Sequence, residues 1–134
     1  MIALDTNLLV RLMVEDDEAQ ARKARKVVEE ASEQGEPILA TDIVLSELEW
    51  VLESAYKVPR GRILSAVSTL VADDRFCFED RERVIEALGL YQRGDGDLAD
   101  YLLGLQGHAT GARTTFTFDR GLRDDPRFTW LKAR

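Results

Sequence analysis

The chain contains one cysteine, one histidine and three prolines in 134 residues, and each scarcity removes a class of explanation. Cys77 alone forms no internal disulfide and offers no second thiol for a structural zinc site, which fits a reducing compartment. Its neighbours Phe76 and Phe78 point to a buried, inert thiol. A nucleophile–base mechanism is poorly served too. His108 is the only imidazole and lies roughly 12 Å along one helix from the acid Asp100, so it reads as structural. No Walker loop is present, and no GxGxxG follows a strand pattern. The apolar runs are too short or too interrupted by charge to span a bilayer, and no basic leader precedes the first of them. A soluble, cytoplasmic protein is expected.

Positive charge is also in short supply. Lys and Arg number 18 against 25 Asp and Glu, a formal charge of −7. A general basic surface for nucleic acid is thereby excluded, because phosphate binding is driven mainly by those two side chains. The content of 45% apolar and 32% charged residues is that of an ordinary globular chain without low-complexity tracts. At this length one compact domain over residues 1–134 is expected, burying ~65–70% of the surface of its unfolded chain.

What is present is an alternation of strand and helix signals. Ile2 to Leu4 reads as a short buried strand, and Asn7 to Val14 as a helix with Leu8, Leu9, Leu12 and Met13 on its apolar stripe. Asp16 to Gln34 reads as a solvated helix ended by Gly35, with Ala21, Ala24, Val28 and Ala31 facing inward. "PILAT" gives a second strand. Asp42 then caps a helix to about Tyr56, and another runs from Arg60 to Ala72. "RFCFED" is a third strand, followed by helices ended by Gly94 and Gly111, "TTFTF" is a fourth, and "RFTWL" is a closing edge strand. Such alternation implies right-handed crossovers. The expected fold is α/β, a three-layer α/β/α sandwich around a mostly parallel central sheet of four to five strands.

In sheets of this kind ligands gather outside the carboxyl ends of the strands. Asp5 stops the first strand there and Asp119 follows the fourth. Glu47, about one and a half turns into the helix after the second strand, sits among Val44, Leu45, Leu48 and Val51, so its face is expected to be partly buried. Asp100 lies in the first turn of "DLADYLLGL", where the helix dipole favours an anion, with Asp97 one turn earlier and about 60° away around the axis. Crowded carboxylates repel one another and raise their own pKa values unless a cation neutralises them. Oxygen donors without His or Cys point to Mg²⁺ or Mn²⁺, ions that activate water and stabilise the leaving oxygen of a phosphodiester. Asp42 and the Asp16–Glu18 cluster read instead as caps or solvated charge.

Taken together, "ALDTNLLVRL", "DIVLSELEWVL", "GDLADYLLG" and "TFTFDRGL" resemble, in order and spacing, the PIN domain, and within it the VapC-type toxins of bacterial toxin–antitoxin pairs. The resemblance covers nearly the whole chain. It implies a Mg²⁺-dependent endoribonuclease whose acids carry over to Asp5, Glu47, Asp100 and Asp119, with Asp97 as a fifth member. Thr6, Asn7 and Thr117 match positions that support the acids by hydrogen bonding. It also implies a homodimer inhibited by a cognate VapB-type antitoxin. One departure is "DYLLGLQGHATG", where family members more often carry a small residue such as Ala after the aspartate.

Asp100 is ranked as the primary ligand because the family's essential acid falls there, and Asp97 as auxiliary and helix cap. The cations nearest to these motifs in sequence are Arg11, Arg93, Arg113, Arg120 and Arg123, the candidate RNA contacts. The helices Asn7–Val14 and Asp42–Tyr56 are apolar on more than one face, which suits an amphipathic antitoxin segment, while Trp50 is expected in the core. Two other readings remain: a PIN-type nuclease of RNA processing, and a non-catalytic RNA- or protein-binding module on the same fold.

Overall fold

The computed structural model describes residues 1–133. Among the described residues five short strands and six α-helices follow in this order: β1 (Ile2–Ala3), α1 (Thr6–Met13), α2 (Glu18–Glu33), β2 (Ile38–Ala40), α3 (Asp42–Ser54), α4 (Arg60–Ala72), β3 (Phe76–Phe78), α5 (Arg81–Arg93), α6 (Leu98–Thr110), β4 (Thr115–Thr117) and β5 (Phe128–Trp130). A short 3-10 helix, Arg120–Leu122, lies between the last two strands. All strand pairs are parallel, and the result is the expected α/β/α fold.

The helices begin where small polar side chains accept the otherwise unpaired first-turn N–H groups. Asp5 caps α1, Asp17 caps α2, Thr41 caps α3 and Asp80 caps α5. The α2 stripe is as expected: Ala21, Ala24, Val28 and Ala31 are its buried residues. Such small side chains let α2 lie close against α1 while its charged face meets water. The last turn of α6 closes at Gly111, whose φ of 105° is the left-handed conformation that a residue lacking Cβ adopts without strain.

The strands form two ladders rather than one sheet of four or five strands, in the orders β1-β2-β3 and β4-β5. The edge strand expected at "RFTWL" is there, paired to β4 in the register Thr115↔Phe128 to Thr117↔Trp130. Strand β1 contributes only two residues, and its ladder bonds run to the β2 side: Ile2 N–H donates to Pro37 at 2.9 Å and Leu4 N–H to Leu39 at 3.2 Å. Between the ladders and helices lies a continuous core that includes Leu9, Ile38, Leu45, Leu48, Leu52, Val67, Leu98 and Leu102. Helix α6 approaches β5 closely: a Cβ on Gly104 would stand 2.6 Å from the Phe128 ring.

Three placements differ from expectation. Asp42 is not the cap of α3; it is the first helical residue, 3% exposed, and Arg83 donates to its Oδ2 from Nε and Nη2 at 2.8 Å. Gln106 donates to the same oxygen at 2.6 Å, so this buried acid ties α3 to α5 and α6. Trp50 is 66% exposed, because it falls off the inward stripe of α3. Cys77 is half-buried rather than sealed in the core.

Candidate active site

Each of the first four strands hands its chain to an acidic segment at the carboxyl end: Asp5 after β1, Asp42 after β2, Glu79 and Asp80 after β3, and Asp119 after β4. Only some of these remain available for chemistry. Asp42 is neutralised by Arg83, Glu79 accepts from Asp42 N–H at 2.7 Å, and Asp80 caps α5.

Asp5 is exposed and accepts from Leu8 N–H at 3.2 Å, so the cap of α1 also sets the direction of its carboxylate. Next to it, buried Thr6 donates from Oγ1 to Glu47 Oε2 at 3.2 Å and links the end of β1 to α3. Glu47 is itself exposed, against the expectation of a partly buried face. The buried acid of α3 is Glu49, at 2% exposure. Positions 45, 48, 49 and 52 form one i, i+3, i+4, i+7 stripe, so the helical period that buries Leu45, Leu48 and Leu52 carries Glu49 inward with them.

Glu49 Oε1 accepts from Leu98 N–H at 2.7 Å, the first backbone donor of α6. An anion at a helix N-terminus is favourable, but here two further carboxylates are close. Ligand oxygens of Glu49, Glu53 and Asp97 all lie within 4.8 Å of one another, the one such group among the described residues. Burial, then the charge of Asp97, pushes the Glu49 carboxyl up to about 7, against the opposing pull of the Leu98 hydrogen bond.

Asp97 and Asp100 belong to the same neighbourhood. Asp97 is the N-cap residue of α6, and its N–H donates to Asp100 Oδ2 at 3.0 Å. Both carboxyls are raised above the ordinary aspartate value. For Asp97 burial is the main cause, followed by the charges of Asp100 and Glu53, with Arg60 opposing them and Asp119 a smaller contribution; for Asp100 burial comes first, the Asp97 N–H opposes it and Asp119 adds to it. Asp119 accepts from Gly121 N–H at 2.8 Å, and Thr117 Oγ1 accepts from Asp119 N–H at 3.0 Å, which fixes the turn that presents the carboxylate.

The structure thus joins Asp97, Asp100 and Asp119 electrostatically, and joins Asp5 to Glu47 through Thr6. The four acids singled out in the sequence do not themselves supply three oxygens within 4.8 Å of one another. Asn7 is exposed beside Asp5. The donor set suits a hard divalent cation. It consists of carboxylate oxygens, and the raised values of Asp97 and Asp100 record burial first and the neighbouring negative charge second, both of which a bound cation would offset.

Two residues hold this acidic corner in shape and were not legible beforehand. Arg60 Nη2 donates to the carbonyls of Tyr91, Gly94 and Gly96 at 2.7, 3.0 and 2.6 Å, and its guanidinium stacks 3.8 Å from the Tyr91 ring centroid. It pins the loop that leads into Asp97. Tyr101, the bulky residue after Asp100, is buried and its hydroxyl accepts from Gly96 N–H at 2.9 Å. A Cβ at Gly94 would lie 2.0 Å from that hydroxyl and one at Gly96 3.0 Å from the ring, so the two glycines open the space that Tyr101 fills.

The arginines divide. Arg11 is tied into the fold, donating to Asp16 and Gln20 at 2.7 Å and to the Tyr56 hydroxyl at 3.0 Å, so it acts as a clamp. Arg93, Arg113, Arg120 and Arg123 are exposed, and among the described residues none has a carboxylate partner.

Comparison with known proteins adds two findings. The PIN domain family model matches residues 2–126. A curated protein named VapC ribonuclease, from Aquifex aeolicus (strain VF5), is 29% identical over 120 residues, covering 90% of this chain and 88% of that protein.

Proposed function

From the premise that this chain belongs to the PIN domain family, we propose that it is a metal-dependent endoribonuclease, the toxin of a type II toxin–antitoxin pair. The observation that carries the reading is the acidic corner itself: burial and then neighbouring carboxylates, Asp119 among them, raise the proton affinity of Asp97 and Asp100, and among the described residues no arginine or lysine forms an ion pair with Asp97, Asp100 or Asp119. A fold that neutralises its buried Asp42 with Arg83 sets only the charge of Arg60, beyond ion-pair distance, against these acids, which suits a cation from outside. The name of the Aquifex relative supports RNA as the substrate.

In this reading Asp5, Asp97, Asp100 and Asp119 hold Mg²⁺, with Mn²⁺ able to substitute, and Glu47 completes the catalytic set from α3. A bound divalent ion would supply an activated water and stabilise the charge that develops on the leaving oxygen. The chain's own groups do the positioning. Thr6 orients Glu47, Thr117 orients the turn of Asp119, and the Asp97 N–H orients Asp100. Asn7, exposed beside Asp5, faces the same end of β1.

The partners follow the same premise. A VapB-type antitoxin segment would dock along α1, where Leu9, Leu12 and Met13 join Val28 of α2 and Leu70 of α4 in a groove edged by charged side chains such as Arg25 and Asp73; α3, the other helix expected to take part, does not line it. A homodimer is the expected assembly, and Ile43 and Trp50, exposed by 70% and 66% on α3, are apolar surface available to it. Among the described residues no helix is long and apolar enough to cross a membrane. The test is incubation with total RNA, with and without Mg²⁺, and mapping of the ends produced. Discrete new ends that appear only with the metal are expected; RNA left intact in its presence would reject the nuclease.

A further inference from the structure

The surface changes character at the far end of the β4–β5 ladder. Trp130, half-buried on β5, has the Arg120 guanidinium 5.9 Å and the Lys132 ammonium 5.8 Å from its ring centroid. Its Nε1–H donates to the Phe118 carbonyl at 3.2 Å, which fixes the orientation of the indole. Phe118 is 70% exposed. Both cations are exposed, and among the described residues neither forms an ion pair. Phe118 and Arg120 flank Asp119 directly in the chain.

Here an exposed Phe118 ring, a half-buried indole and two cations without a carboxylate partner among the described residues lie together beside an acid of the candidate site. Their combination matches one ligand chemistry. Unpaired bases stack on aromatic rings with little sequence preference, while flanking phosphates are held by lysine and arginine. Bases inside a duplex do not present their faces for stacking. We propose that Phe118, Arg120, Trp130 and Lys132 form a subsite for single-stranded RNA beside Asp119, a proposal that rests on the ribonuclease reading above. A base stacks on Trp130, the two cations hold neighbouring phosphates, and the strand is led across Asp119 to the acidic corner.

The chain has two tryptophans, so Trp50→Phe leaves Trp130 as the only indole emitter. In EDTA, where a metal-dependent nuclease is silent, a short mixed-sequence single-stranded RNA should quench Trp130 emission saturably. Duplex RNA of the same length and poly-glutamate should not. Followed by anisotropy of end-labelled RNA, which needs no indole, Trp130→Ala should weaken binding about tenfold, as loss of one stacked base does. The exposed substitutions Arg120→Ala and Lys132→Ala, which leave the core untouched, should each lower the slope of log affinity against log salt by about 0.7. RNA cleavage with Mg²⁺ but no quenching would overturn the subsite and leave the nuclease standing. Absence of both overturns the two together, and equal quenching by duplex or poly-glutamate overturns the assignment to single strands.

Discussion

Helix α3 carries two buried acids seven residues apart, and they live under opposite conditions. Asp42, at its start, takes two charge-assisted bonds from Arg83 and one from Gln106. Glu49, two turns on, meets Glu53 and Asp97, and the one partner that favours its charge is the Leu98 N–H. The first is a closed structural tie. The second borders a region where the fold gathers several carboxylates against the single charge of Arg60, which forms no ion pair with any of them among the described residues, and such an excess is a mark of a functional site. Burial of a carboxylate is therefore no guide to its role until its counter-charge is known.

Breaking the closed tie should have the largest effect on stability. Asp42→Ala leaves the Arg83 guanidinium, which is 18% exposed, with only its 3.4 Å contact to Asp80, and about 3 kcal/mol, the low end for a broken buried pair, is expected in denaturant unfolding. Residual RNA cleavage by the folded fraction should be unchanged per molecule. On the open side, Asp97→Asn keeps the backbone N–H that orients Asp100 and should reduce cleavage about 10–100-fold, the range of a supporting ligand, with little change in unfolding. Collapse beyond that range would make Asp97 a ligand equal to Asp100.

A smaller effect should appear as pH dependence. The Glu49 carboxyl titrates at about 7, above its ordinary 4.5, so the folded state holds a proton that the unfolded chain has released. The associated stability is fully present below about pH 4.5 and is lost as pH rises through about 7. Glu49→Gln, which still accepts from Leu98 N–H, should flatten that loss. It should exceed the parent by on the order of 1 kcal/mol near pH 8 and not at all near pH 4.5. The smallest effect expected is that of Trp50→Phe, within about 0.5 kcal/mol of the parent because the ring is exposed.

The same contrast marks what the sequence could disclose. Strands that stop on Asp5 and Asp119, the small-residue stripe of α2 and the glycine closing α6 are local patterns, and all were legible. Glu49 is within reach, since it shares the period of Leu45, Leu48 and Leu52, whereas the core position expected for Trp50 ignores that it lies off that stripe. The partners that decide roles were not legible. Arg83 and Gln106 reach Asp42 across 41 and 64 residues, and Arg60 reaches the loop before α6 across 31 to 36. Side-chain reach over such separations leaves no periodic trace, and neither does the division of five parallel strands into two ladders.

The acidic corner's need for an external cation is tested most directly by calorimetric titration of Mn²⁺ into the parent protein and into Asp100→Asn near pH 7.5, with circular dichroism confirming that both are folded. Saturable binding by the parent, weakened by about a hundredfold or more in Asp100→Asn, is the expected result. Undiminished binding by Asp100→Asn, or no binding by the parent, would contradict it.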